Sequence, residues 1–285
     1  MNVLATLRPP GDAWEELGDI EVGPLAPRDD VEILIVANQA IELDWFPRLR
    51  LIANFSVGYD NIDIEACRAR GIAVSNTPGV LDAAVADLTI GLLLAVRRRI
   101  VEGNDAVRAG RWEKGWSASP FLGREIGGSV LGIVGYGRIG KAVARRAAGF
   151  DLDVIYTREA PLDELLARAD VVSVHTPLNG ETTGLISRER LALMRDGATL
   201  INTARGAVVD EDALVDELAN GRISAGLDVF VHEPHVPERL RGLPNVVLTP
   251  HIASATYETR AAMTRIVVDN VLAFQRGEPL PTPVD

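Results

Sequence analysis

The 285-residue sequence predicts an α/β protein of two doubly wound parallel-sheet domains with a cleft between them. Three observations point there. Nearly continuous apolar runs at 31–37, 51–55, 130–134 and 171–174 have the character of strands buried on both faces. Segments of helical pattern alternate with them, as expected of parallel sheets covered by helices. The length suits about two domains, and a hydrophobic content of 47% supplies a core for each.

In chain order, a short strand at 3–7 leads into a polar, proline-rich connection. Strands follow at 31–37 and 51–55, then a helix over 61–70 that Gly71 stops, then a strand at 72–74. Residues 80–100 read as one long helix, rich in alanine and leucine, that joins the two domains. Segment 102–128 carries Trp112 and Trp116 without a clean period and reads as a partly helical excursion, its aromatics suited to a subunit contact or, nearly as well, to local packing. Further strands are expected at 130–134, 153–156, 171–174, 198–202, 225–230 and 246–248. Helices are expected at 141–148, 161–168, 210–220 and 257–276, with Asp210 as an N-cap and Gly221 as a stop.

Between the strand at 130–134 and the helix after it, Gly135, Gly137 and Gly140 stand at the spacing GxGxxG. The first glycine lets the chain turn, the second lets backbone approach a pyrophosphate, and the third lets helix pack on strand. Strand before and helix after are the context this motif requires, so the segment reads as a Rossmann-like dinucleotide site with Arg138 and Ile139 beside the phosphates. The dinucleotide-binding domain is then 96–255. The substrate-binding domain is 1–95 plus 256–285.

Composition excludes several partners. A net charge of -11 argues against nucleic acid or an anionic membrane surface. The most apolar run, 88–96, is too short to span a bilayer, and the N-terminus has no apolar signal core, so a cytoplasmic protein is expected. Cys67, the sole cysteine, can form no intrachain disulfide and reads as a packing residue. His232 and His235 read as surface residues rather than metal ligands, because no carboxylate or thiolate cluster with ligand spacing supports them.

In an open parallel sheet, ligands bind at the carboxyl ends of the strands. Four such ends carry His175, Arg205, Glu233 and His251, on segments that are otherwise apolar. Arginine can hold a carboxylate through two parallel hydrogen bonds. Histidine can pass a proton near neutral pH, and a neighbouring glutamate can orient it. Beside a dinucleotide, these groups suit hydride transfer to the carbonyl carbon of a 2-keto acid.

With those residues in view, the chain resembles the D-2-hydroxyacid dehydrogenase family along nearly its full length. The motifs that carry the resemblance are Val57-Gly58-Tyr59-Asp60-Asn61-Ile62-Asp63, Asn76-Thr77-Pro78-Gly79, the glycine loop, Asn202-Thr203-Ala204-Arg205-Gly206, Leu227-Asp228-Val229-Phe230 with Glu233-Pro234, and Thr249-Pro250-His251. The resemblance implies Arg205 as substrate clamp, His251 as acid/base and Glu233 as its partner. It implies substrate contacts at Val57, Gly58 and Ser254, and cofactor contacts at His175, Thr176, Pro177, Thr203, Ala204, Asp228 and His251. The loop after His251 and the final Thr282-Pro283-Val284 are similar to the glyoxylate/hydroxypyruvate reductase branch. A small 2-keto acid substrate, a homodimer and no metal are the matching expectations.

One departure concerns the cofactor. Where NAD-using members carry an acidic residue after the second strand, this chain has Tyr156-Thr157-Arg158. Thr157 removes a carboxylate that would repel a 2′-phosphate, and Arg158 offers that phosphate a partner, so NADP(H) is the expected preference, with NAD(H) the lesser cofactor. The rival readings are an NAD-dependent dehydrogenase of a phosphorylated hydroxy acid and a catalytically silent dinucleotide sensor. The intact Arg, Glu and His set favours an enzyme.

Overall fold

The computed structural model describes residues 1–113, 115–118 and 120–284. The chain forms two compact units, Met1–Leu81 with Ser254–Asp285, and Asp82–Ala253.

The first unit contains β1 (Val3–Ala5), β2 (Glu21–Val22), β3 (Ile33–Val36), β4 (Leu51–Asn54) and β5 (Ala73–Ser75), in the order β2-β1-β3-β4-β5. All pairs are parallel. Every residue of β3 and β4 is buried, as their unbroken apolar runs require. Helix α1 (Ile64–Ala69) starts where the Asp63 side chain accepts the Ala66 N–H at 2.9 Å, a standard N-cap. Cys67 on that helix is buried in the core, where burial raises its thiol pKa. The C-terminal helix, Tyr257–Arg276, is capped by Thr256 and returns to this unit. Thr264 Oγ1 on it donates to Pro10 O at 2.6 Å, and the tail beyond it reaches β5 through Val284 N–H to Val74 O at 2.8 Å.

The second unit contains α2 (Asp82–Arg97), α3 (Ile100–Arg108), β6 (Val130–Val134), α4 (Arg138–Ala147), β7 (Asp153–Tyr156), α5 (Leu162–Arg168), β8 (Val171–Val174), α6 (Arg188–Leu193), β9 (Thr199–Asn202), α7 (Glu211–Ala219), β10 (Ser224–Leu227), α8 (Glu238–Arg241) and β11 (Val246–Leu248). Its parallel sheet runs β11-β10-β9-β8-β6-β7. The winding reverses at β6, so the switch point lies between β6 and β8, where a ligand is expected. Successive residues point to opposite faces, and each face has its own core. Leu131, Ile133, Val171 and Ile201 pack beneath α2 and α4. Val134, Val172, Val174 and Leu200 face a core that includes Leu165, Leu191 and Leu214. Glycine lets the helices sit close: a Cβ at Gly226 would lie 3.0 Å from Leu92 Cβ, and one at Gly132 would lie 2.5 Å from Leu165 Cδ2.

Register aligns the strand ends that matter. Val134 pairs with Val174, Val174 with Asn202, Asn202 with Leu227, and Leu227 with Leu248. The residues that follow these strands, from the glycine loop to His251, therefore emerge along one edge.

Three expectations are corrected. The helix expected over 80–100 ends at Arg97, Arg99 adopts a left-handed φ of 51°, and α3 begins anew. Arg97 is the cause: it is buried and donates to Glu125 O at 2.8 Å and Ser129 Oγ at 3.2 Å, which pins the helix end. The units divide at Leu81/Asp82 and Ala253/Ser254 rather than at 95/96 and 255/256, because all of α2 packs with the second sheet. Helices α6 and α8 and the exposed edge strand β2 add to the expected elements, all being short and without strong periodicity. Among the described residues no helix is long and apolar enough to cross a membrane.

Asp210 caps α7 by accepting the Ala213 N–H at 3.0 Å. Asp210→Ala is expected to lower the stability of the second unit by about 1 kcal/mol, measured as a shift in its denaturant midpoint.

Candidate functional site

The glycine loop joins β6 to α4 at the switch point, and its three glycines do three different things. Gly135 has φ 96°, and a Cβ there would lie 2.6 Å from the His175 backbone at the end of β8. A Cβ at Gly140 would lie 2.3 Å from Gly135 O, so this glycine closes the strand against the helix. At Gly137 nothing lies within 4 Å, which leaves an open approach to the start of α4. Gly137 is also the N-cap and makes no side-chain cap bond, so the first amides of α4, at Arg138 and Ile139, are suited to phosphate oxygens. These residues fit a dinucleotide pyrophosphate.

Beside the loop, Thr157 Oγ1 accepts the Gly135 N–H at 3.2 Å, tying the end of β7 to it. Tyr136, between the first two glycines, stacks on Tyr156 with ring centroids 3.7 Å apart and planes 6° from parallel. Arg158 and Glu159 are exposed, and the Tyr156 hydroxyl donates to the Glu159 carboxylate. Sequence reasoning misses the aromatic pair; its members are twenty positions apart and meet only because β6 and β7 are neighbours.

His175 follows β8, and its Nε2 lies 2.7 Å from Ser173 Oγ. Burial pushes its imidazole pKa down to about 3. It therefore stands as a neutral ring beside Ser173, while its backbone meets the glycine loop at Gly135. Thr176 and Pro177 continue from it, and the Pro177 carbonyl accepts the Thr182 hydroxyl at 2.6 Å.

A cluster of side chains comes from the ends of β9, β10 and β11. After β9, Asn202 organises the turn: its Nδ2 donates to Arg205 O at 2.9 Å and its Oδ1 accepts the Ala204 N–H at 3.0 Å. Thr203 is buried, with its hydroxyl 3.0 Å from that of Thr89, so the side chain serves packing. Arg205 extends from this turn, one guanidinium N–H donating to Ala204 O at 2.8 Å. A Cβ at Gly206 would lie 2.1 Å from Phe230 C, so only glycine allows the two loops to touch. Phe230 N–H then donates to Glu233 Oε1 at 3.0 Å, and Glu233 Oε2 lies 2.7 Å from His251 Nδ1. Burial raises the Glu233 pKa, but the hydrogen bonds from His251 and Phe230 and the charges of His251 and Arg205 outweigh it and hold the carboxyl below its ordinary value. Arg205, Glu233 and His251 are thus brought together as expected from the strand ends.

His251 has φ 53°, uncommon for a side chain of this size, and the surrounding bonds hold it there. Its N–H donates to Asp228 O at 2.9 Å. Asp228, with no solvent exposure, accepts the Thr249 hydroxyl and the N–H groups of Ile252 and Ala253, the last two at 2.8 Å. The family resemblance implies a cofactor contact for Asp228 and gives no sign of this anchoring role. Val57, Gly58 and Ser254 belong to the first unit. There Asn76 Nδ2 donates to Val57 O at 2.9 Å, Asn54 Nδ2 to Gly58 O at 2.7 Å, and the Ser254 carbonyl accepts the Thr256 N–H at 3.0 Å. His232 and His235 are exposed and joined by a backbone bond of 2.7 Å. Among the described residues no three His, Cys, Asp or Glu side chains gather as a metal ion requires.

A phosphate cradle at the switch point, with a histidine–carboxylate pair and an arginine on the same sheet edge, is the layout of a dinucleotide-dependent oxidoreductase. Residues 90–253 match the family model of the D-isomer specific 2-hydroxyacid dehydrogenase NAD binding domain. A glyoxylate reductase from Pyrococcus furiosus is 46% identical, over 96% of this chain and 88% of its own. Among solved structures, the TT0316 protein from Thermus thermophilus matches at TM-score 0.91 and 45% identity, over 100% of both chains. An NADPH-dependent glyoxylate/hydroxypyruvate reductase from Sinorhizobium meliloti, in complex with NADP and malonate, matches at TM-score 0.86 and 37% identity, over 99% of this chain and 96% of that one. The chain belongs to the D-isomer specific 2-hydroxyacid dehydrogenase family, and it is an NAD(P)-dependent oxidoreductase.

The neutral His175 has a measurable consequence. Its folded pKa lies below the ordinary 6.5, so below that pH the unfolded chain takes up a proton that the folded chain refuses. Its contribution is fully present above pH 6.5 and is lost as the pH falls towards about 3. His175→Gln is expected to flatten the loss of thermal midpoint across this window, compared with the unaltered chain in matched buffers.

Proposed function

We propose that this chain reduces a small 2-keto acid, of the glyoxylate and hydroxypyruvate kind, to the D-2-hydroxy acid, with NADPH preferred to NADH. The observation that carries the proposal is the convergence of Arg205, Glu233 and His251: the Glu233 carboxylate feels the Arg205 charge, accepts the Phe230 N–H and lies 2.7 Å from His251 Nδ1. The glyoxylate reductase from Pyrococcus furiosus and the glyoxylate/hydroxypyruvate reductase from Sinorhizobium meliloti support the substrate class.

When bound, the reduced nicotinamide supplies hydride to the substrate's carbonyl carbon. His251 has Nδ1 committed to Glu233, so Nε2 is the atom that hands a proton to the carbonyl oxygen. Glu233, held below its ordinary pKa, stays charged and stabilises the imidazolium that donates. Arg205 clamps the substrate carboxylate through paired N–H bonds. Backbone amides at Val57 and Gly58, with Ser254, are the further substrate contacts in this reading.

On the cofactor side, Gly135, Gly137, Arg138, Ile139 and Gly140 hold the pyrophosphate. His175, Thr176, Pro177, Thr203 and Ala204 pass along the cofactor, and Asp228 and His251 lie at the nicotinamide end. The NADPH preference rests on Thr157 and Arg158 directly after β7, where an acidic residue would meet a 2′-phosphate.

The proposed assembly is a homodimer. Ile100, Val101, Val107, Trp112, Trp116, Phe121 and Leu122 are all exposed, Trp116 at 87%, within one short stretch of chain. Apolar residues so concentrated suit a second copy better than water.

Oxidation of NADPH and NADH, followed with glyoxylate, hydroxypyruvate and bulkier 2-keto acids, tests the reading directly. Faster turnover of the small acids with NADPH is expected, and silence across the panel refutes it. His251→Ala is expected to lower kcat by about 100- to 10,000-fold with NADPH binding retained. Arg205→Ala should act mainly by raising KM for the keto acid. Sedimentation velocity is expected to show a dimer that Trp112→Ser with Trp116→Ser weakens.

A further inference from the structure

In the turn after β7 a carboxylate is hydrogen-bonded to a tyrosine, with a cation next to it in sequence. Glu159 N–H and Ala160 N–H both donate to Tyr156 O, at 2.9 and 3.1 Å. Residues 156–159 therefore form a tight turn whose first and fourth side chains can meet. They do meet: the Tyr156 hydroxyl donates to Glu159 Oε1. Thr157, at the second position, is tied back to the Gly135 N–H at 3.2 Å. Arg158, at the third, is exposed and, among the described residues, forms no ion pair.

The Tyr156 ring has a fixed address. It lies flat on Tyr136 at 3.7 Å between centroids, and Lys141 Nζ stands 6.0 Å from the centre of the Tyr136 ring. The phenol is therefore delivered to one place, beside the glycine loop. Its hydrogen bond to Glu159 also raises its pKa, so the donating proton stays on through neutral pH. Adjacent opposite charges in an exposed turn ordinarily attract, and a carboxylate on Arg158 would compete with any phosphate for that guanidinium.

We propose that Tyr156 is a positioning residue for cofactor choice: by holding the Glu159 carboxylate, it leaves the Arg158 guanidinium open to the 2′-phosphate of NADPH. This rests on the NADPH preference proposed above. Tyr156 acts through Glu159, and Glu159 through the charge it would otherwise bring to Arg158.

The test is a binding cycle, read as tryptophan-fluorescence titrations with NADPH and with NADH in the absence of keto acid. Tyr156→Phe keeps the ring and its stack but removes the donor. Freed, Glu159 pairs with Arg158, and NADPH binding is expected to weaken about two- to fivefold, the range an exposed ion pair supports, with NADH binding unchanged. Glu159→Gln alone should bind NADPH at least as tightly as the unaltered chain. The double variant, Tyr156→Phe with Glu159→Gln, should recover NADPH affinity, because no carboxylate remains to compete. A merely structural role for Tyr156 predicts losses for both cofactors that the second substitution does not repair. Unaltered NADPH binding in Tyr156→Phe, or a loss that persists in the double variant, overturns the inference and leaves the cofactor preference standing. An unaltered chain that binds NADH more tightly overturns both.

Discussion

Asp228 places a carboxylate where no solvent reaches it, and three donors make that placement tolerable: the Thr249 hydroxyl and the N–H groups of Ile252 and Ala253. Satisfying those donors requires the chain after β11 to wrap around the end of β10. The wrap carries His251 into its left-handed conformation, with its own N–H held by the Asp228 carbonyl. A charge that would be costly alone thus becomes the hub of a loop, and the strained residue is the one that bears the reactive ring.

A second constraint acts from the other side. Gly206 admits the Phe230 backbone to a distance that any side chain would forbid, and Phe230 in turn orients Glu233. Arg205 precedes that glycine, so the backbone contact brings it towards Glu233, whose carboxyl its charge helps to hold below the ordinary pKa. The Arg, Glu and His groups therefore owe their mutual geometry to three adjacent parallel strands, β9, β10 and β11, whose ends are in register.

Much of this is legible from the residues alone. Strands buried on both faces announce themselves as apolar runs, and β7, β8 and β11 fall where expected, residue for residue. The glycine loop is a local signal, complete within eleven positions. The Asp210 cap is likewise local. What stays hidden depends on distant partners. Arg97 ends α2 because carbonyl and hydroxyl groups near position 125 receive it, and nothing in the helix itself marks the stop. The Tyr136–Tyr156 stack exists only across two neighbouring strands. Asp228 looks in sequence like any acidic residue after a strand, and its saturation by a loop some twenty-five positions later has no local trace.

The second unit is one unbroken stretch of chain, Asp82–Ala253, whereas the first is assembled from both ends. On the ribosome the inserted unit is complete before the helix Tyr257–Arg276 has been made, and it can fold as soon as it emerges. The five strands made first must wait for that last helix, and for the tail that ties Val284 to Val74, to receive their cover. The unit begun first is thereby the last to be complete, and the one translated in the middle is finished before it.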